Sequence, residues 1–202
     1  MSGPRLPLAL AFAVLAGLLV SFLHPYDRTT WWLEVAPIFL AFPLLVATWR
    51  RFPLTPLLYV LIAAHAYVLI FGGAYTYARV PLGFWMEHWF GFARNDYDKL
   101  GHFAQGFVPA LVTREVLLRN GYLTSRRMTS FLALCVALAI SASYELVEWG
   151  TALALGQGAD EFLGTQGDPW DTQSDMFMAL IGAAVALVTL SGVHDRAMAR
   201  MK

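Results

Sequence analysis

Apolar stretches of about 18 residues or more recur along the chain with almost no charge inside them, and that feature limits most what it can become. A helix needs roughly 17 to 25 mainly apolar residues to cross a hydrocarbon core. Within lipid, only structures that satisfy every backbone N–H and C=O internally are tolerated. Six segments fit the template: 6–23, 32–49, 54–73, 99–118, 128–155 and 169–190. The expected fold is all-α, a polytopic membrane protein of about six transmembrane helices in one bundle. Residues 1–202 form a single integral membrane domain in this reading.

The segments are not equal. The first follows Arg5 like a signal peptide, but no small-x-small cleavage site precedes His24 and Pro25, so it is read as an uncleaved span. The second holds Pro37 and Pro43, which kink a membrane helix without abolishing it. The fourth is the weakest, because Gly101, His102, Gln105 and Arg114 interrupt it. Between the third and fourth spans, Pro81 to Phe92 carries Phe84, Trp85, Trp89 and Phe90, as expected of a short amphipathic segment lying in the interface.

Composition excludes the alternatives. Of the 202 residues, 58% are hydrophobic and 14% charged, against about 25% charged in a soluble domain. Disordered, nucleic-acid-binding and disulfide-stapled classes fall away, leaving membrane lipids as the expected surroundings. Cys135 is the single cysteine and reads as core packing within the fifth span.

Net charge is zero only by cancellation. With six spans, the N-terminus, the loops 50–53 and 119–127 and the C-terminal tail share one side. That side holds ten basic residues against Glu115 and Asp195, a balance of +8. The other side holds Arg28, Arg79, Arg94 and Lys99 against twelve acids, a balance of −8. Since cytoplasmic loops carry the excess of Lys and Arg, both termini are expected in the cytoplasm of a bacterium, with the acidic half extracytoplasmic.

Three polar clusters fall on that acidic side. In the first, Asp98 and His102 are i,i+4 and share a helix face, with Lys99 beside them and Gln105 one turn further. In the second, Glu145 and Glu148 are i,i+3 within an apolar span. Two carboxylates so placed need a cation, a histidine or a shared proton. In the third, Asp168 before Pro169 reads as an N-cap and first helical position, and Asp171 and Asp175 then face the same way. Asp175 lies too deep for capping to explain it. The glycines before it, Gly156, Gly158, Gly164 and Gly167, read as a turn-rich connector.

An oxygen-rich set with one imidazole suits a divalent cation, Mg²⁺, Mn²⁺, Ca²⁺ or Zn²⁺. Asp98, His102, Glu145, Glu148, Asp171 and Asp175 are the candidate ligands. His102 or Glu148 would move a proton, and Lys99 would steer an anion. No HExxH, P-loop, GxSxG or dinucleotide fingerprint is present. His24, His88 and His194 read as packing, interface or tail residues, with His65 the one of the four best placed to face a cavity.

At these residues a resemblance emerges. Asp98-Lys99-x-x-His102-Phe103, Glu145-x-x-Glu148-Trp149 and Asp168-x-Trp170-Asp171-Thr172-x-x-Asp175 together resemble the YjdF-type bacterial inner-membrane family over at least residues 50–190. The resemblance implies an inner-membrane location and a topology, and it implies no reaction. More distantly the order of motifs is similar to VanZ-like proteins, a group associated with glycopeptide resistance. Glu145-x-x-Glu148 stands here for that pattern's Glu-Gln, and Met178 and Gly182 for its Asn-Gly.

Three functions follow from the residues. The first is divalent-metal-dependent hydrolysis or group transfer on a lipid or lipid-linked amphiphilic substrate. The second is a non-catalytic binding or transport protein, with paired carboxylates carrying protons or cations; against it, the basic half offers only Arg114 and Glu115 at depth. The third is a buried polar network that only fixes helix packing.

Overall fold

The computed structural model describes residues 5–156 and 165–201, and every regular element among them is helical. The seven α-helices are α1 (Arg5–Leu23), α2 (Arg28–Thr48), α3 (Pro56–Tyr75), α4 (Pro81–Phe90), α5 (Tyr97–Arg119), α6 (Arg126–Leu155) and α7 (Asp171–Ala199). A 3-10 turn, Tyr77–Arg79, joins α3 to α4. Local chemistry sets several starts. The Asp27 carboxylate accepts from the Thr30 N–H at 2.7 Å, and Ser125 Oγ accepts from the Met128 N–H at 3.3 Å. Both prolines of α2 lie inside a continuous helix, as expected.

Five of these helices, α1, α2, α3, α6 and α7, are long and apolar enough to cross a membrane. The fourth expected span is the exception. As α5 it has 23 residues and the length to traverse a bilayer, but not the composition. Its polar side chains turn inward: Asp98, His102, Arg114 and Glu115 are all buried against α3, α6 and α7. A helix surrounded by protein does not need an apolar surface all round.

Contacts fix the directions. Glu115 on α5 meets Thr55 before α3, while Tyr97 Oη donates to the Val68 carbonyl, so α3 and α5 are antiparallel. Lys99 meets Asp175, and Arg114 meets Asp195, so α5 and α7 are parallel. The start of α1 and the end of α7 therefore lie at one end of the bundle, with the starts of α5 and α7 at the other. One apolar cluster seats α1 and α2 on α3 through Val14, Leu18, Trp31, Val35 and Ile70. Another packs α5, α6 and α7 through Ala110, Ala133, Ala137, Ala183 and Leu187.

Two glycines bring α5 and α7 together. A Cβ at Gly106 would overlap the Ala179 carbonyl, and one at Gly182 would overlap the Phe103 carbonyl. Only hydrogens fit at this crossing, a familiar device for close helix approach in membranes. The α4 helix presents Phe84, Trp85, Trp89 and Phe90 outward, as an amphipathic segment should.

Three expectations change. The last helix starts at Asp171 and not at Pro169: Asp168 Oδ1 accepts from the Trp170 N–H at 2.9 Å, closing a turn rather than capping. It also runs to Ala199 and not to residue 190, which makes His194 a buried packing residue of that helix. Cys135 is exposed on α6 instead of packed in the core, because the small Ala133 and Ala137 occupy the inward face. Of the connector glycines, Gly158 and Gly164 lie outside the described residues.

Gly182→Val should cost about 1–3 kcal/mol of stability or more by forcing α5 and α7 apart. Gly192→Ala, where an added Cβ meets nothing within 4 Å, should leave it unchanged. Thermal unfolding in detergent reads both, and equal midpoints for the two variants would show that the crossing does not depend on contact at Gly182.

Candidate functional site

The starts of α5 and α7 and the last third of α6 converge on the acidic cluster. The α5 start is pinned by Asn95, fully buried, whose Nδ2 donates to the Val80 carbonyl at 3.0 Å and whose Oδ1 accepts from the Tyr97 N–H at 3.2 Å. One turn in, Lys99 Nζ donates to Asp171 Oδ1 at 2.9 Å, Ser174 Oγ at 2.7 Å and Asp175 Oδ1 at 2.8 Å. All three donors of the ammonium are used.

A second cation completes this layer. Arg94 Nη2 donates to Asp171 Oδ1 at 2.5 Å and lies 3.4 Å from Asp98 Oδ2, while its Nε donates to Asp96 at 3.0 Å. Its Nη1 donates to the Thr165 carbonyl at 2.5 Å, and Gln166 Nε2 donates to the Asn95 carbonyl at 2.8 Å. Arg94 thus ties the approach to α7 onto the approach to α5. Burial opposes its charge, but the hydrogen bond to Asp171 and the fields of Asp98, Asp171 and Asp96 outweigh that, holding the guanidinium above its ordinary range.

Asp98, Asp171 and Asp175 do offer three oxygens close enough for a metal ion. In this structure Lys99 and Arg94 already supply the positive charge there. A metal would have to displace an ammonium held by three hydrogen bonds, so the residue expected to steer an anion is instead the counter-ion of the carboxylates.

The second convergence has no such cation. His102, Glu145 and Asp175, all buried, each offer a ligand atom within 4.8 Å of the others. His102 Nδ1 pairs with Gln105 Oε1 at 3.0 Å; with that oxygen accepting, Nδ1 carries the proton and Nε2 keeps its lone pair, 3.8 Å from Asp175 Oδ2. Glu145 Oε1 stands 3.7 Å from His102 Nδ1 and is a buried oxygen with no hydrogen-bond partner. Such an atom is rare and asks for an explanation.

Glu148 stands outside the group formed by His102, Glu145 and Asp175. It lies one turn further along α6, on the wall of a large cavity of about 1340 Å³ that runs between α2 and α6. Glu34 of α2 lines the same cavity; in the sequence it is one of the twelve acids on its side. Glu34 is 2% exposed and accepts from Tyr144 Oη at 3.3 Å, with the Tyr77 hydroxyl nearby. Burial pushes the Tyr77 phenol well above its usual range. His65 lines the same cavity, as anticipated. A lone Glu in an apolar span was the available signal for Glu34. Arg94 carried none, being an ordinary loop arginine in sequence.

The opposite end of α5 holds a second polar tier that the sequence did not display. His194 Nε2 pairs with Glu115 Oε2 at 2.7 Å, both groups fully buried. Glu115 also accepts from the Thr55 N–H at 2.9 Å, the Thr55 hydroxyl at 2.7 Å and Arg119 at 2.6 Å. Arg114 joins it, donating to Asp195 at 2.6 Å and lying 3.3 Å from His194 Nδ1. Arg126 pairs with Asp195 as well.

Comparison with known proteins identifies the family. Residues 6–196 match the family described as "Predicted membrane protein (DUF2238)". The chain is 60% identical to the "Inner membrane protein YjdF" of Escherichia coli (strain K12) over 175 residues, covering 87% of this chain and 84% of that protein. No solved structure matches. The likeness to VanZ-like proteins stays on its motif residues alone.

Lys99→Met should destabilise the protein by about 3–5 kcal/mol, because it strands Asp171 and Asp175 without their ammonium. Adding Asp175→Asn should recover part of that loss. A double variant no more stable than Lys99→Met alone, by thermal unfolding in detergent, would contradict the counter-ion role.

Proposed function

The chain belongs to the DUF2238 family of membrane proteins, and we propose that it is a divalent-cation-dependent hydrolase or transferase of the bacterial inner membrane. Its substrate is a lipid or lipid-linked amphiphile. The observation that carries this reading is the unpartnered Oε1 of Glu145 beside His102 and Asp175, where His102 and Asp175 also line a large, mostly apolar cavity. An apolar chamber with a few convergent polar groups is the usual form of a site for a partly apolar ligand.

His102, Glu145 and Asp175 form the cation site in this reading. One imidazole and two carboxylates suit Zn²⁺ or Mn²⁺, and Mg²⁺ or Ca²⁺ if further oxygens join. A cation there polarises a phosphoryl or carbonyl oxygen of the head group and offsets its charge. Asp98 and Asp171 hold Lys99 and Arg94 in place, and through Lys99 they fix the orientation of Asp175. Gln105 sets the histidine tautomer. Glu148, on the cavity wall, is left to meet the substrate itself.

Orientation follows from charge. Arg50, Arg51, Arg119, Arg126 and Arg127 are on the same side as the start of α1 and the end of α7, so both termini face the cytoplasm and the His102 site opens toward the extracytoplasmic leaflet. The relative's name, an inner membrane protein, supports the same location.

Transport of protons or cations is the second reading, and the Glu115–His194 tier favours it by supplying buried titratable groups at the far end. Twelve residues separate His102 from Arg114, about 18 Å along α5. Leu111, Ala110 and Ala183 pack that interval without an ionisable group among them.

The purified full chain should carry one divalent cation by elemental analysis, lost in His102→Ala and Asp175→Ala. Incubated with total bacterial lipid in nanodiscs, it should release a head-group product by mass spectrometry, and His102→Ala should slow that release by about 10²-fold or more. Absence of bound cation and of product together would defeat the proposal. Proton uptake into proteoliposomes abolished by Glu115→Gln would move the assignment to transport.

A further inference from the structure

The charges at the acidic end do not balance evenly. Arg94 and Lys99 are committed to Asp96, Asp98, Asp171 and Asp175. Glu34, Glu145 and Glu148 have no lysine or arginine within 4.0 Å among the described residues. Among the described residues Glu148 makes no hydrogen bond or ion pair, and the charged groups that act on it most strongly are other carboxylates, those of Glu145, Glu34, Asp175 and Asp171. Glu145 Oε1, nine-tenths buried and without a hydrogen-bond partner among the described residues, stands 3.7 Å from Nδ1 of His102, which lines the same cavity.

Aromatic groups complete the setting. Tyr77 and Tyr144 both reach Glu34, and Tyr144 stands edge-on to His102 with ring centres 6.1 Å apart. Away from this end the cavity is mostly apolar until Arg50 and Arg51 line its far end. It follows α2 from Glu34 to Trp49, a run of about 22 Å, between Pro37, Ile38 and Leu45 on one side and Val136, Ile140 and Val147 on the other. Leu40, Leu44, Ile140 and Val147 line it and are also exposed on the outer surface of the bundle, so the cleft between α2 and α6 opens sideways where lipid lies.

Acidic groups without a counter-ion, tyrosine rings and an apolar cleft open to lipid describe a site for an organic cation with a tail. We propose that the cavity end formed by Glu34, Glu148, Tyr77 and Tyr144 binds the ammonium group of an amphiphile whose tail lies in the α2–α6 cleft. The ammonium takes the place that Lys99 and Arg94 fill in the neighbouring layer. Carboxylates supply charge, Tyr77 and Tyr144 line the same space, and the low dielectric strengthens the attraction. A neutral head group would leave the carboxylates uncompensated, and an anionic one would be repelled, so the site discriminates by sign. The inference rests on the reading of the cavity as the substrate site and is independent of the cation at His102.

The test is equilibrium binding of radiolabelled dodecyltrimethylammonium to the full chain in nanodiscs, corrected for protein-free discs, with EDTA present throughout. One saturable site per chain is expected, blocked by dodecylamine and not by dodecanol or dodecyl sulfate. Glu148→Gln should weaken binding by roughly tenfold or more, and Glu34→Gln likewise. Because Glu34 is buried and can matter for folding, Glu148→Gln on the cavity wall decides the case. Unchanged affinity in a folded Glu148→Gln protein, or equal competition by dodecyl sulfate, would overturn the proposal. Weaker apparent binding in phosphatidylethanolamine than in phosphatidylglycerol discs identifies a membrane aminolipid as the occupant. Equal binding in the two identifies a soluble cationic amphiphile, and both results support the ammonium site. Since EDTA removes the divalent cation, ammonium binding without metal in the purified protein retires only the metal reading, and metal without ammonium binding retires only this one.

Discussion

The Lys99 ammonium, held between Asp171 and Asp175, is the contact on which the acidic end of the bundle depends. Removing charged groups from water costs several kcal/mol each, and three aspartates meet here at the level of two helix starts. Lys99 and Arg94 offset that cost only because every donor is used and each guanidinium nitrogen reaches an oxygen. The pairing in turn fixes the parallel register of α5 and α7, which the glycine crossing at Gly106 and Gly182 then allows to close. With that register set, Asp175 can turn its second oxygen toward His102 and Glu145.

The helix α5 belongs neither to the lipid nor to water. Its first turns carry the aspartate–lysine layer and its last turns the Glu115–His194–Arg114 tier, with small and apolar residues between. Its start is held by the Val68 carbonyl of α3 and the aspartates of α7, and its end by Thr55 just before α3 and His194 of α7. A helix with this pattern inserts stably only inside a bundle, since its polar groups need partners from other helices. The price of that arrangement is that the composition of α5 does not announce a span.

The clusters predicted from spacing were legible because helix periodicity is local. Asp98 with His102, and Asp171 with Asp175, do share faces. What spacing could not say is how one cluster meets another. Lys99 was expected to face a ligand and instead neutralises Asp171 and Asp175. Glu148 keeps Glu145 as its strongest charged neighbour, as its spacing implies, and also shares the cavity wall with Glu34, which no spacing linked to it. His194, near the C-terminus and followed by charged residues, gave no sign of the carboxylate waiting for it on α5. Cys135 was placed inside by its apolar surroundings, although in a membrane protein such surroundings describe the outside equally well.

By itself the sequence determined that this chain is a helical membrane protein, where its spans lie, and that its charge divides into a basic and an acidic half. Each of these follows from quantities that add along the chain: apolar length, helical period and the count of Lys and Arg. The tertiary structure alone decided which acids have counter-ions and which do not. It alone joined Glu34 to Tyr144, left Glu145 Oε1 without a partner and opened the cleft between α2 and α6. The reason is that electrostatic pairing falls off within a few ångströms, so its outcome is set by crossing angles and registers between helices that no single helix encodes.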